Sequence, residues 1–536
     1  MRNTLAGLQS QNAVGEVLTE LRLLLAYTGV VYNSKAGINR LPSEILYKVF
    51  SICANLENPF PPSVNRAGYP TKDLLVVTQV CRHWRDVALA YHNLWARISV
   101  PPCPQWTAEL LLRARTAPLA IHEPELSPSS VRSGYPSMQL LAILSRYHGQ
   151  IAELGLQSLP KGNVEQLVSA LQRPFPRLAS VTIRGQYIRE ASPPWTDILN
   201  DLGQNAPALR NLTTYSLVAA PWSSCESLRG LTSVAVKLPR LDRLVNDDGD
   251  AFDHAYATPT QLLTMLREMP LLESLELHYC TSLIPAPTED CVLRVPNLKF
   301  LHMRGRAYPL SSLLRHLILS PAAQVLLTVD VPEKAQDVFS QLTYHADGSL
   351  PLTLPSVEGP GRVPLTWQSL EVITDTSEFL ECAAWHAPNT RSRPSLIVRF
   401  VFSVFTSFRS SCRAVQRLLP AAELRAFSVA FDSLFPSWWT DYAQGMMHLR
   451  TIEFLNGNAA SAFMRWMSMT PQYLPELREM WFTNVDFRIE DLAEVCLIAL
   501  QSRARHGSQL EVVLQDCCVS DAWLDIVAEM EYVEVV

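Results

Sequence analysis

The sequence lacks a basic excess. It holds 45 lysines and arginines against 51 acidic residues, a formal net charge of −6. No Lys/Arg run supplies the electrostatic footprint that a phosphate backbone needs, so nucleic acid is not an expected partner. Long unbroken apolar runs are lacking too. Arg2, Glu16, Glu20 and Arg22 interrupt the first thirty residues, unlike the apolar core of a secretory signal. The most apolar later stretch, Leu396 to Phe408, is shorter than a bilayer crossing and contains Arg399. The expectation is a protein that neither spans a membrane nor is exported, residing in the cytoplasm and/or nucleus. No C-x-x-C pair occurs, and the eleven cysteines are odd in number and irregularly spaced, which fits reduced thiols rather than a disulfide framework. Adjacent Cys517 and Cys518 are read as opposite faces of one strand rather than a redox couple.

Catalytic signatures are missing as well. There is no P-loop, G-x-G-x-x-G, G-x-S-x-G or H-E-x-x-H motif, so the chain is expected to be a non-enzyme without cofactor. His278 and Cys280 come nearest to a metal pair, but no second pair stands at ligand spacing. They are read as ordinary strand residues, and no metal is expected. Asp247-Asp248-Gly249-Asp250 lacks the spaced oxygen ligands of a calcium loop and reads as a solvated turn. The glycosylation acceptor Asn211-Leu212-Thr213 has no consequence without export.

What is present is apolar material in quantity. Hydrophobic residues make up 48 % and charged residues 18 % of 536, enough for a folded chain that exceeds one compact core, hence several domains or one elongated repeat array. Residues 1–37 carry Val14, Leu18, Leu21 and Leu25 on one helical face, an amphipathic helix that needs a partner surface. In residues 38–100, Leu41-Pro42-Ser43-Glu44 reads as a helix start, with Pro at the first helical position and an acid near the positive end of the dipole. Ile45, Leu46, Val49, Phe50 and Cys53 then form a broad apolar stripe. After a polar, proline-containing stretch from Asn55 to Lys72, Leu74, Val77, Cys81, Trp84 and Ala88 recur at helical steps, and Leu94 and Trp95 follow.

Beyond a linker with first helices at 101–140, residues 141–536 repeat a phrase, Leu-x-x-φ-x-φ with φ apolar, commonly with a proline about two positions upstream. Copies stand at Ile151/Leu154/Leu156, Leu178/Val181/Ile183, Leu231/Val234/Val236, Leu272/Leu275/Leu277, Leu298/Leu301/Met303, Leu424/Phe427/Val429, Leu449/Ile452/Phe454 and Leu477/Met480/Phe482. Weaker copies begin at Leu209, Leu370 and Leu510. Between copies, Val164, Leu167, Val168 and Leu171, then Trp195, Ile198, Leu199 and Leu202, and later Leu492, Val495, Cys496 and Ala499 keep helical spacing. The unit is therefore helix, proline, short strand, and stacked units give an α/β, leucine-rich-repeat-type solenoid with a parallel sheet. Regularity fails around 330–420, where the Pro-, Gly-, Ser- and Thr-rich stretch His345 to Thr366 reads as a surface loop or irregular repeat. Strand alternation turns the residues between the φ positions outward. Of that set, which includes Thr182 and Thr483, Glu276, His278, Phe300, His302, Arg304, Glu453 and Trp481 are the candidate target-binding residues.

The stretch from Leu41 to Val100 resembles an F-box of the kind found in large fungal families. Leu41-Pro42-Ser43-Glu44-Ile45-Leu46, then Val80-Cys81-Arg82-His83-Trp84-Arg85-Asp86-Val87-Ala88, then Leu94-Trp95 carry the resemblance, with a long insertion between Cys53 and Leu74 as the departure. It implies a three-helix module that docks on the Skp adaptor of a cullin-based ubiquitin ligase. By motif position Leu41, Pro42, Ile45, Leu46, Val80, Cys81 and Trp84 would lie at or beside that interface, Trp95 closing the module. Trp84 is the expected anchor of the patch. The chain is then a substrate-recognition adaptor acting without chemistry of its own. A stand-alone leucine-rich scaffold, its helices only a cap, is the alternative, and a hydrolase with catalytic groups dispersed in 330–420 is a third possibility.

Overall fold

A computed structural model describes residues 11–53, 70–100, 104–123, 138–157, 164–184, 201–215, 229–238, 257–280, 293–306, 310, 313–314, 316–319, 323–330, 369–375, 379–385, 396–401, 424–430, 439–440, 443, 445–488, 491–506, 509–530 and 533–535. The insertion after Cys53, the Asp247 cluster and the stretch from His345 to Thr366 lie outside them. No described helix is long and apolar enough to cross a membrane. The chain divides into two compact units, Met1–Arg210 and Asn211–Val536. Mixed α/β structure, with helices leading into a parallel sheet, is what the sequence pattern predicts.

The first unit opens with helix α1 (Gln11–Lys35), a 3-10 turn (Gly37–Arg40), and helices α2 (Ser43–Cys53), α3 (Pro70–Val80) and α4 (Arg82–Ala90). Pro42 sits one place ahead of α2, its carbonyl accepting from the N–H groups of Ile45 and Leu46. This satisfies two of the donors a helix start leaves open. Heptad-type spacing then sorts α2: Leu46 and Phe50, four apart, are buried, whereas Ile45 and Ile52, seven apart, share the outward stripe. After a second 3-10 turn (His92–Trp95), strand β1 (Arg97–Ser99), helix α5 (Pro104–Ala114), β2 (Leu119–His122), α6 (Met138–Tyr147), β3 (Ile151–Gln157), α7 (Val164–Leu171) and β4 (Ser180–Arg184) alternate. The four strands pair in parallel in chain order, each joined to the next by a helix, as parallel pairing requires. Strand–helix alternation thus starts at Arg97, ahead of residue 141 where the repeated phrase becomes legible.

In the second unit β5 (Asn211–Tyr215), β6 (Ser233–Lys237), helix α8 (Pro259–Arg267), β7 (Ser274–His278), β8 (Leu293–Val295), β9 (Phe300–Gly305), β10 (Leu317–Leu319) and β11 (Gln324–Asp330) come first. Then follow β12 (Ser369–Asp375), β13 (Phe379–Trp385), β14 (Leu396–Val401), β15 (Ala426–Ala430), β16 (Thr451–Phe454), α9 (Gly457–Met469), β17 (Glu479–Thr483), α10 (Leu492–Ala504), β18 (Leu510–Gln515), α11 (Asp521–Ala528) and β19 (Val533–Val535). Pairing runs β5, β6, β7, β9, β11, β14, β13, β12, β15, β16, β17, β18, β19. All contacts are parallel except those of β13, which is antiparallel to both neighbours, while β8 and β10 pair separately. The described strands between 369 and 401 are therefore built into the sheet as a reversed meander.

The repeated phrase has a local cause. Before six of the strands the Leu N–H donates to the carbonyl three residues back: Leu178 to Phe175, Leu209 to Ala206, Leu272 to Met269, Leu298 to Val295, Leu449 to Met446 and Leu477 to Leu474. In five of these six turns the second position is proline (Pro176, Pro207, Pro270, Pro296, Pro475), whose fixed φ suits that place in a turn. The turn drives the Leu inward and hands the next N–H to the neighbouring repeat, as Arg450 to Arg425 and Arg478 to Arg450. Cys517 and Cys518 lie just beyond β18, past Asp516 at a positive φ of 54°, and Cys518 forms an isolated parallel bridge with Asp486, so the two are not opposite faces of one strand.

Candidate functional site

Two surfaces collect the predicted site residues. The first is the helical module. Its core is Leu46, Phe50, Leu74, Val77, Val87, Ala88, Leu94 and Trp95. Outside it, Ile45, Ile52, Val76 and Val80 are 47 %, 55 %, 62 % and 53 % exposed, large apolar side chains on two helices that no described element covers. Ile38, Leu41 and Pro42 extend the exposed set along the chain ahead of α2, and Cys81, between α3 and α4, is half-buried.

Two of the expected interface residues cannot touch a partner directly. Leu46 and Trp95 are fully buried. The Trp95 indole N–H donates to the Ala88 carbonyl at 2.8 Å, and Arg113 of α5 lies over its ring, 4.4 Å from the centroid. Trp95 joins the module to the sheet behind it. Trp84 is half-buried: one face packs on Phe50 at 5.1 Å, and its N–H donates to Asn39 Oδ1 at 2.6 Å. Asn39 in turn donates to the Asn33 carbonyl at 2.7 Å, so Trp84 ties the end of α1 to α4.

The second surface is the outward face of the sheet in the second unit. Glu276, His278, Phe300, His302, Arg304, Glu453 and Trp481 are all half-buried on strands that alternate inward and outward, as the phrase predicts. Glu453 accepts from Ser428 Oγ at 2.8 Å and Thr483 Oγ1 at 3.0 Å, and the Trp481 indole donates to Glu479 at 3.3 Å. Arg304 donates to the Tyr279 hydroxyl at 3.1 Å.

Glu276, His278 and His302 converge most tightly. Register places Glu276 of β7 beside His302 of β9, and Lys237 of β6 beside His278. Glu276 Oε1 lies 2.9 Å from His278 Nε2 and 3.0 Å from His302 Nδ1, and the two nitrogens are 3.3 Å apart. Lys237 Nζ pairs with the other oxygen, Glu276 Oε2, at 2.8 Å. Burial pushes the Glu276 carboxyl upward, but the hydrogen bonds from His278, His302 and Lys237 and the Lys237 charge outweigh it and hold the group well below the usual carboxylate range. Burial lowers His278 and outweighs the opposing Glu276 carboxylate, with His302 and Lys237 adding to the lowering.

The sequence reads His278 and Cys280 as ordinary strand residues; in the structure His278 ends β7 and Cys280 lies two residues beyond it. The Cys280 thiol is buried and donates to backbone carbonyls, and burial keeps it far above the thiol range. The partner of His278 comes from the next strand. Glu276 and His302 each stand four residues after the Leu that opens their copies of the phrase, so aligning the copies is the signal that finds them.

A family model described as F-box-like matches residues 38–101. No curated protein matches the chain.

Proposed function

From the F-box-like domain at residues 38–101, we propose that this chain is the substrate-recognition adaptor of a cullin-based, SCF-type ubiquitin ligase. The domain supports an adaptor role of that type in general. The finer reading, docking on the Skp adaptor by the helical module and capture of a protein target by the sheet face, rests on one observation above others: the module closes its own core yet leaves Ile45, Ile52, Val76 and Val80 outside it. A small helical unit that exposes such a set uses it against a partner. An ordinary interface takes about 800 Å² from each side, and its weight falls on a few central side chains. The function is proximity, a target held near a charged conjugating enzyme, with no covalent step on this chain.

The test is joint expression with the Skp adaptor, comparing wild type with Ile45→Glu/Val80→Glu. Both positions are outside the core, so the double variant is expected to fold and to lose at least 100-fold in affinity, about 2.7 kcal/mol. Stoichiometric recovery of the adaptor by the folded double variant would overturn the docking face. A second reading has its own support: β1, inside the matched stretch, is hydrogen-bonded to β2, so the helices could serve as the cap of a stand-alone protein-binding scaffold.

A further inference from the structure

We propose that Glu276, His278 and His302 form a zinc-class divalent metal site on the outward sheet face of the second unit, through Glu276 Oε1, His278 Nε2 and His302 Nδ1. The site stands independently of the ligase reading.

Three ligand-type atoms, each able to offer a lone pair, face one point from three positions on two neighbouring strands, with separations of 2.9, 3.0 and 3.3 Å. A tetrahedral zinc ion with bonds of about 2.0–2.1 Å sets its ligand atoms roughly 3.3 Å apart. One edge already meets that spacing, and the other two need to open by roughly 0.4 Å to reach it. Among the described residues these three are also the His, Cys, Asp and Glu side chains that gather closely enough to share an ion.

Protons alone serve the triangle poorly. When both imidazole nitrogens donate to Oε1, donor faces donor across the 3.3 Å edge. When His302 Nδ1 instead accepts from His278, its lone pair faces the carboxylate oxygen at 3.0 Å. A cation resolves every edge, because all three atoms then act as electron-pair donors.

The surroundings supply the outer support that metal ligands use. With Nδ1 on the ion, the remaining nitrogen of His302, Nε2, stands 3.4 Å from Thr328 Oγ1 as donor. Lys237 holds the non-ligating oxygen of Glu276 at 2.8 Å and so fixes which oxygen is presented. Two imidazoles and one carboxylate are the borderline donors that zinc, copper and nickel prefer over calcium or magnesium. Three protein ligands leave a fourth position for water or for a donor side chain from a bound protein.

The experiment uses the full chain, stripped with chelator and titrated with Zn²⁺ against a chromogenic competitor, and with Co²⁺ followed by its visible d–d absorption. The expected result is one saturable site, weakened at least 100-fold by His302→Ala and at least tenfold by Glu276→Gln. Both variants should keep the wild-type circular dichroism and melting temperature without metal, while Zn²⁺ raises the melting temperature of the wild type only. Because the chain also holds cysteines, a sulfur-to-cobalt charge-transfer band would place the ion elsewhere and overturn the site. So would binding that neither variant weakens, or no saturable binding by a wild-type chain that melts cooperatively.

Discussion

His122 illustrates how a single side chain carries pH dependence into this fold. It lies on β2 across Gly155 of β3, where a Cβ would come within 2.6 Å of its Nδ1. Burial, reinforced by the Arg97 charge, brings its pKa down to about 4. Between pH 4 and 6.5 the unfolded chain therefore binds a proton that the native state does not, so stability rises with pH through that window. The full effect is at most about 3 kcal/mol. Glu153, 3.5 Å away, is raised mainly by burial and works in the opposite sense just above its ordinary value. The expected outcome is that hydrogen exchange of β2 and β3 slows, after correction for intrinsic rates, as pH rises from 4 to 6.5. His122→Gln should flatten that dependence. An unchanged slope in the variant would remove His122 as the source.

At the level of elements, the order β11, β14, β13, β12, β15 is the unexpected feature. Three consecutive strands enter the sheet in reverse, so β12 reaches β15 and β14 reaches β11. Antiparallel neighbours do not require the long crossover that parallel neighbours do, so three strands consecutive in the chain can fill three adjacent places in the sheet. Strand β13 is then central: Cys382 pairs with Val372 on one side and Val398 on the other. Cys382→Pro removes a ladder hydrogen bond in a central strand, where proline is not accommodated, and is expected to cost about 1–3 kcal/mol or more. At an exposed position outside the sheet the same change would stay within about 0.5 kcal/mol. Chemical denaturation of the two proteins decides between them.

For the whole molecule, the helical module and the first sheet are continuous rather than strung on a linker. Trp95 hydrogen-bonds back to α4 and lies under Arg113 of α5, and β1 covers the β2 edge. A truncation to 101–536 strips β1, bares that edge and should aggregate. A truncation to 91–536 keeps Trp95 and β1. If the helices are a docking module it stays soluble and monomeric with reduced stability, and if they are a required cap it aggregates too. Size-exclusion chromatography of the two fragments separates the readings. Helix α1 adds a further exposed surface, with Leu25 72 % and Tyr32 78 % exposed, and its large apolar side chains are not confined to the face that Val14, Leu18, Leu21 and Leu25 define.

By itself the sequence determined the local grammar. The Pro-x-Leu turn, the period-two alternation after it and the helical spacing between copies are short-range rules, enforced by φ restriction and side-chain direction within a few residues. They suffice to mark the helical module, the parallel strands and the outward residues from Glu276 to Trp481. Tertiary structure decided what sits beside what. Burial of Leu46 and Trp95, the tether of Trp84 to Asn39 and the reversed meander depend on packing between segments distant in the chain. The meeting of Glu276, His278 and His302 depends on register, since a strand pair fixes neighbours 26 residues apart that no local spacing rule would join.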